Sequence, residues 1–197
     1  MSEKPILSKL TSYIGKVIDL DDQSVASICS HFECSYLGKG EYLYEYGSTC
    51  RAIYFINEGA VRHLHYDDGG NEVTCDFTFD NNFLTDYNSF INQVPSSYLF
   101  EALEPVKYLY ISKKRLEKLY ENYPELRTLA RKEAESTALK VTTMAQSLIT
   151  HKAEKRYLNL LENQPNIIRR VPQKYIASYL GIAPESLSRI RKKVSNK

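Results

Sequence analysis

A run of polar and cationic side chains near the end of the chain has the spacing of one helical face. Glu185, Ser188 and Arg189 lie three and then one residue apart, and Lys192 extends the same face. Arginine can donate two hydrogen bonds to guanine O6 and N7, and glutamate can accept one from cytosine N4. The pattern therefore predicts a helix that reads base edges in the major groove of DNA.

Residues 173–193 have the layout of a helix-turn-helix that would position this face. Ile176 and Leu180 are one helical turn apart, and Ala177 is small where two helices would cross. Gly181 allows the turn between the helices.

The second helix of this motif is predicted to begin at Pro184, because a proline in the first turn sacrifices no helical hydrogen bond. Leu187, Ile190 and Val194 form its apolar stripe, opposite the polar face. The alternative is an ordinary amphipathic hairpin whose charged face is only solvated. Ala177, Gly181, Pro184 and the apolar stripe all lie at the positions that a helix-turn-helix requires. The pattern therefore favours DNA binding.

The charge distribution supports that interpretation. The chain has 197 residues and a net charge of +2, but residues 151–197 hold 11 Lys/Arg and 3 Asp/Glu, net +8. The remaining 15 Lys/Arg and 21 Asp/Glu give residues 1–150 a net charge of −6. Such an asymmetry indicates nucleic acid or another anionic surface as a partner.

Composition is typical of a folded globular protein, with 43% hydrophobic and 25% charged residues, and excludes a disordered or collagen-like chain. No apolar run approaches the roughly 18 residues of a membrane helix. The first six residues, Met-Ser-Glu-Lys-Pro-Ile, lack the layout of a signal peptide. We therefore expect a cytoplasmic protein.

The first 111 residues are predicted to fold as two short helices followed by a β-rich unit. Apolar residues recur at helical steps in residues 6–32, with a helix start at Asp21-Asp22. Strands are expected at 41–46, 52–56, 60–66, 72–79, 98–102 and 106–111, separated by turn signals rich in Gly, Asn, Asp, Pro and Ser. Short strands at this spacing indicate an antiparallel barrel or sandwich, so that the whole chain is α+β.

Residues 124–149 are predicted to form one long helix, with Pro124 in its first turn. Apolar or small residues recur there at steps of 4, 3, 4, 3 and 4: Ala130, Ala134, Thr137, Val141, Met144 and Leu148. This seam is compatible with two arrangements, a helix lying on the barrel or a parallel homodimer in which two such helices meet. A further helix is expected at 152–162.

With these elements in place, residues 170–181 and 184–189 resemble the cyclic-AMP receptor protein and fumarate-nitrate regulator (Crp/Fnr) family of transcription factors. Gly40, Gly47 and Gly59 extend the resemblance into the barrel. It implies a cyclic nucleotide-binding-like β-roll (jelly roll) over 1–123, a dimerisation helix and hinge over 124–150, and a winged-helix-type helix-turn-helix over 151–197. It also implies a non-enzymatic DNA-binding homodimer that contacts RNA polymerase.

The resemblance assigns roles within the helix-turn-helix. Glu185, Ser188 and Arg189 are similar to the base-reading residues of the fumarate-nitrate regulator, whereas Pro184 stands where the cyclic-AMP receptor has an arginine. The expected half-site is therefore closer to TTGAT than to TGTGA. The other predicted DNA contacts, four of them to phosphates, are Gln173, Lys174, Ser186, Lys192 and Lys193.

The resemblance also indicates where an effector would bind. Cyclic-nucleotide members of the family hold the phosphate with an arginine, but Ser96 and Ser97 stand at that position here, and residues 83–104 contain no Lys or Arg. A phosphate needs a cationic or multiply donating pocket, so cyclic AMP or GMP is not expected. The candidate residues for an unidentified effector are Phe83, Thr85, Asp86, Ser96 and Ser97.

Metal chemistry and catalysis are not expected. Cysteines at 29, 34, 50 and 75 form no C-x-x-C pair, unlike the clustered cysteines of the family's oxygen-sensing branch. His63, His65 and Glu72 are faintly similar to a cupin metal site, the one alternative that would make this an enzyme or a metal sensor. We favour the two histidines as polar residues on the exposed side of an edge strand. The alternation of Tyr42, Tyr44 and Tyr46 could mark an aromatic pocket but is also typical of a strand.

Overall fold

The structure, a computed structural model, describes residues 4–195 and begins with a helical pair before the β-roll. Helices α1 (Lys4–Val17) and α2 (Asp22–Cys29) correspond to the two predicted short helices. The Asp21 side chain caps α2 by accepting from the Ser24 N–H at 2.9 Å, which confirms the predicted helix start.

Two antiparallel sheets form the β-roll, which confirms the predicted α+β class with an antiparallel β domain. The four-stranded sheet has the order β1-β7-β2-β5 and the three-stranded sheet the order β4-β3-β6. A short helix, α3 (Tyr87–Asn92), follows β5. The strands are β1 (Glu33–Leu37), β2 (Ala52–Glu58), β3 (Ala60–Tyr66), β4 (Glu72–Phe79), β5 (Asn82–Leu84), β6 (Leu99–Ala102) and β7 (Val106–Ser112).

The predicted strand at 41–46 is wrong. Only Tyr42 forms a β-bridge there, to Glu101, and the segment then turns at Gly47, whose φ is +76°. Tyr44 packs edge-on against Phe100 with ring centroids 5.5 Å apart. Tyr44 and Tyr46 therefore contact the roll through their rings, and the three tyrosines do not form one face of a strand.

Two strands, β1 and β5, were not predicted from the sequence pattern. β1 is an edge strand with a mixed sequence, Glu-Cys-Ser-Tyr-Leu, and pairs only with β7. β5 has three residues, too few to show alternation, and pairs with β2. Both are defined by their partner strands, which lie more than 20 residues away in sequence.

The tight turn between β2 and β3 requires a glycine. Gly59 has a φ of +120°, and a Cβ placed there would lie 2.8 Å from Val106 Cγ2 and 2.9 Å from the Pro105 carbonyl oxygen. No L side chain fits this position without displacing the backbone of β7 or the residue before it.

We expect Gly59→Ala to lower the free energy of unfolding by about 3 kcal/mol, because a strained φ and overpacking each cost on the order of 1–3 kcal/mol. Urea unfolding at pH 7 measures this. Gly15→Ala is the matched control, since Gly15 lies in α1 with no atom within 4 Å of the new methyl group. It should stabilise by about 0.5–1 kcal/mol. Equal midpoints for Gly59→Ala and the native chain would contradict the strain argument.

The long helix is packed on the barrel at its start and becomes more exposed toward its end. After α4 (Lys113–Asn122), helix α5 spans Leu126–Thr150, so the predicted long helix is confirmed, with Pro124 two residues before its start. Leu126 and Leu129 are buried in the barrel core. Farther along, Val141 is 61% exposed and Leu148 44% exposed.

The remaining elements are four helices: α6 (Ala153–Asn163), α7 (Pro165–Arg170), α8 (Gln173–Tyr179) and α9 (Pro184–Ser195). This agrees with the helix predicted at 152–162 and with the helix-turn-helix. The strands that a winged helix would add do not occur among residues 151–195. In the chain from residue 4 to residue 195, no helix is both long and apolar enough to cross a membrane.

Candidate nucleic-acid interface

The two helices of the predicted helix-turn-helix meet through a small buried core. Ile176, Ala177, Leu180 and Leu187 are each at most 3% exposed. Gly181 takes a φ of +64°, the left-handed conformation that ends α8. The structure thus builds the motif from the residues that predicted it.

The predicted reading face lies on the open side of α9. Glu185, Ser188, Arg189 and Lys192 are all exposed, and Ser186 is half-buried. Arg189 Nε donates to the Glu185 carbonyl oxygen, and Nη2 donates to Ser186 Oγ, both at 3.4 Å. These long bonds hold the guanidinium only loosely, so it can turn to reach another acceptor.

The predicted phosphate contacts flank that face. Gln173 and Lys174 are exposed at the start of α8, and Lys192 and Lys193 are exposed near the end of α9. Lys193 Nζ also donates to Glu154 Oε2 of α6 at 2.6 Å. Since Lys193 is exposed and Glu154 is only half-buried, this ion pair contributes little to stability.

The opposite side of α8 packs on the barrel, a contact that the sequence pattern did not predict. Tyr179 lies 5.4 Å from Phe77 of β4 between ring centroids, and Ser178 accepts a hydrogen bond from the Thr74 N–H. Arg62 and Arg170 make ion pairs near the same contact. The only sequence signal was the opposite net charge of the two parts of the chain.

The candidate effector residues Phe83, Thr85, Asp86, Ser96 and Ser97 do not form an open phosphate cradle. Asp86 is 6% exposed and caps α3, accepting from the Ser89 N–H at 3.1 Å. Ser96 Oγ donates to Asp86 Oδ2 at 2.5 Å. Thr85 donates to the Ala52 carbonyl oxygen, whereas Ser97 is exposed.

The charge at the start of α3 is unfavourable for a cyclic phosphate. The N-terminus of α3 is already capped by a carboxylate, and Asp86 would face a second negative charge if a phosphate bound there. Asp86 therefore has a structural role as the cap of α3, and its role toward an effector stays a prediction.

The interpretation of His63 and His65 as residues on the exposed side of an edge strand is wrong. β3 is the central strand of its sheet, and His63 faces the inside of the roll, opposite Asp76 of β4 and Phe100 of β6. His63 Nε2 lies 2.8 Å from Thr78 Oγ1. β3 pairs on both sides, with β4 and β6, so the pattern that resembled an edge strand came from a central one.

The cupin-type alternative has no support. Glu72 pairs with Arg62, which alternates with His63 along β3, so the carboxylate and the imidazole lie on opposite faces of the sheet. Residues 4–195 contain no group of three or more His, Cys, Asp or Glu side chains placed to hold a metal ion.

Burial lowers the pKa of His63 to about 4, although Asp76 nearby opposes the shift. The unfolded chain should titrate near pH 6.5. Below that pH the unfolded state takes up a proton that the folded state does not, so stability falls as the pH is lowered from 6.5 to 4.

We expect the native chain to lose about 2–3 kcal/mol of unfolding free energy over this range through His63 alone. His63→Gln can keep the bond to Thr78 but cannot titrate. Its unfolding free energy should therefore fall by about 2–3 kcal/mol less than that of the native chain over the same pH range. Urea unfolding at pH 7 and pH 4.5 checks this, with His31→Gln, exposed just after α2, as control. Parallel pH profiles for the native chain and His63→Gln would refute it.

An open groove of about 1270 Å³ separates α5 from the roll; we call it the α5 groove. Asp76 and Thr78 of β4 and Phe83 of β5 lie on one side, and Ala134 and Val141 of α5 on the other. The seam residues Ala134, Thr137 and Val141 therefore line open space. Met144, one turn farther along, is half-buried against the cluster that contains Phe77 of the roll.

The comparisons with known proteins agree with this architecture. Residues 35–123 match the family described as the cyclic nucleotide-binding domain. No curated protein matches the chain.

Several solved structures share the fold over most of the chain. The c-di-GMP responsive global regulator CLP of Xanthomonas campestris is 17% identical with a TM-score of 0.71, over 89% of this chain and 92% of that one. FixK2 of Bradyrhizobium japonicum is 19% identical with a TM-score of 0.69, over 84% and 85%. The catabolite activator protein of Thermus thermophilus is 18% identical with a TM-score of 0.53, over 90% and 85%.

These matches confirm the fold that the resemblance implies, because they cover 84–90% of this chain. The chain has the fold of the Crp/Fnr regulators, with a domain of the cyclic nucleotide-binding type at residues 35–123.

Proposed function

We propose that this protein is a homodimeric, DNA-binding transcription regulator of the Crp/Fnr type and not an enzyme. The observation that carries the proposal is the exposed face of α9, where Glu185, Ser188 and Arg189 lie together above a buried helix-turn-helix core. Nothing that packs on this face within residues 4–195 accounts for a carboxylate and a guanidinium in this register, whereas base edges in a major groove do.

The DNA side of the proposal assigns one role to each group. Arg189 donates to guanine, Glu185 accepts from cytosine, and Ser188 lies between them on the same face. The exposed lysines of α8 and α9 contact phosphates, which orient the domain without specifying sequence. The expected half-site is TTGAT-like, repeated as a palindrome about one helical turn apart.

The dimer side rests on α5. Its seam residues Thr137, Val141 and Leu148 are exposed in the single chain and face the α5 groove. Apolar side chains at heptad spacing are expected to be buried, and a second α5 running parallel to the first would cover them. This favours the dimer over the helix lying on its own barrel.

For the effector, the proposal names a binding place but no ligand. A ligand in the α5 groove would touch both the roll and the dimer helix, and could act by preferring one arrangement of the two over another. Cyclic AMP and cyclic GMP are not proposed, because Asp86 occupies the helix cap that a phosphate would need. Contact with RNA polymerase and a cytoplasmic location belong to the same proposal.

Selection from random DNA duplexes at about 150 mM salt tests the proposal. A palindrome with TTGAT-like half-sites is expected to emerge, bound by two chains. Failure of any duplex to be enriched would refute the function. Calorimetry with cyclic AMP and cyclic GMP tests the effector argument separately, since saturable micromolar binding of either would show that the reasoning from Asp86 and the missing arginine is wrong.

A further inference from the structure

The helix-turn-helix is docked on the outer face of the three-stranded sheet. Ala60, Phe77 and Leu103 of the roll share a buried cluster with Tyr179 and other apolar residues of the terminal helices. The Thr74 N–H donates to Ser178 Oγ at 2.9 Å, joining β4 to α8. The two parts of the chain are thus packed together and not merely linked.

A buried arginine lies at one side of this contact. Arg62 is 1% exposed, and its Nη1 donates to Glu72 Oε2 and to Glu101 Oε2, each at 2.8 Å. Its guanidinium carbon lies 3.8 Å from the centre of the Tyr175 ring of α8. A buried cation needs such neutralisation, and the ring that covers it comes from the DNA-binding part.

A second arginine, which belongs to the terminal helices, contacts the roll. Arg170, at the end of α7, forms ion pairs with Asp80 and Glu104 of the roll. Burial alone would raise the pKa of Asp80, but hydrogen bonds from Arg170 and from the Gly59 N–H hold it below its usual value. The pair therefore stays charged throughout the neutral range.

Strand β4 connects this contact to the α5 groove. Phe77 packs on Tyr179, and both also border the α5 groove that the neighbouring Asp76 and Thr78 line. Lys140 of α5 pairs with Asp76 at 2.7 Å. One strand thus touches the long helix on one face and the first helix of the helix-turn-helix on the other.

We propose that Arg62 and Arg170 are positioning residues that hold the helix-turn-helix in one orientation on the roll and so set the separation of the two reading helices in the dimer. The proposal rests on the function proposed above. The docked orientation is the one that binds DNA, because docking uses the barrel side of α8 and leaves Glu185, Ser188 and Arg189 exposed. Undocking leaves each reading helix on a flexible tether, which lowers the preference for correctly spaced half-sites.

The test compares two pairs of substitutions that remove the same charge. Asp80→Asn with Glu104→Gln takes away both partners of Arg170, and Glu117→Gln with Glu121→Gln changes two exposed carboxylates on α4. Loss of negative charge by itself strengthens DNA binding or leaves it unchanged. If only the Asp80→Asn, Glu104→Gln variant binds DNA more weakly and less selectively, the cause is loss of docking of the helix-turn-helix on the roll.

Two measurements are made on the full chain. Hydrogen exchange of the Thr74 amide, measured without DNA, should accelerate at least tenfold in the Asp80/Glu104 pair and not in the control. The affinity ratio between the selected palindrome and the same palindrome with three inserted base pairs should fall at least tenfold in the Asp80/Glu104 pair. Tyr175→Phe, which retains the ring over Arg62, should behave as the native chain, whereas Tyr175→Leu should behave as the Asp80/Glu104 pair.

Each result separates the two proposals. Faster Thr74 exchange with an unchanged spacing preference overturns the positioning role and leaves the DNA-binding function standing. Unchanged exchange in both the Asp80/Glu104 pair and Tyr175→Leu shows that these contacts do not hold the domain and also overturns it. If the native chain selects no duplex at all, the proposed function fails, and the positioning role fails with it.

Discussion

Replacing Arg189 with alanine is expected to lower affinity for the selected palindrome by about 30-fold to 30,000-fold at constant salt. A bidentate arginine–guanine contact is worth about 1–3 kcal/mol, and a dimer on a palindrome makes it twice, so the loss is about 2–6 kcal/mol. Base preference at the guanine position should relax at the same time. Fluorescence anisotropy titrations with the palindrome and with single-base variants of each half-site measure both effects.

Lys174→Ala is the matched control, because Lys174 is exposed at the start of α8 and is assigned to phosphate. It should weaken binding to all duplexes alike and reduce the slope of log affinity against log salt by about 1 for each phosphate that is no longer neutralised. If Arg189→Ala behaves in this uniform way, or leaves binding unchanged, Arg189 does not read a base.

Placing a glutamate in the seam of α5 is expected to separate the dimer. Val141 is 61% exposed in the single chain, and in a parallel pair it would meet its own copy. Val141→Glu would then bury two carboxylates against each other, which should raise the dimer dissociation constant at least 1000-fold, or about 4 kcal/mol. Sedimentation equilibrium measures the dissociation constant directly.

Leu139→Glu is the control for this substitution, because Leu139 lies on the same helix, off the seam, and is 70% exposed. It should leave the dimer intact. Binding of Val141→Glu to the full palindrome should fall to the level of a single half-site. If the dimer survives Val141→Glu, the seam is not part of the dimer interface. The alternative, in which α5 lies on the barrel of its own chain, would then be favoured.

The helix-turn-helix could be predicted from the sequence because its signals are local. A glycine that allows a left-handed turn, a proline in a first turn and an apolar stripe each act within a few residues of where they stand. Gly181, Pro184 and Leu187 therefore predicted two helices and the face between them, and the structure places all three as expected. The bases that this face contacts stay a prediction.

The strand at 41–46 shows where local signals fail. Alternating tyrosines indicate a strand only if another strand lies beside them, and here β6 offers a single bridge, between Glu101 and Tyr42. Conversely, β5 has almost no signal of its own and exists because β2 pairs with it. Strand formation depends on a partner, so a one-dimensional pattern cannot decide it.

The sequence by itself determined the long helix, the helix-turn-helix, the acidic and basic parts and the polar face of α9, because backbone preferences and periodicity are properties of neighbouring residues. Only the tertiary structure decided what the charged and polar groups do. Asp86 caps a helix, His63 lies inside the roll, and Arg62 is buried against Tyr175, which is more than 100 residues away. A charge acts through whatever lies within a few ångströms of it, and folding brings those groups together from distant parts of the chain.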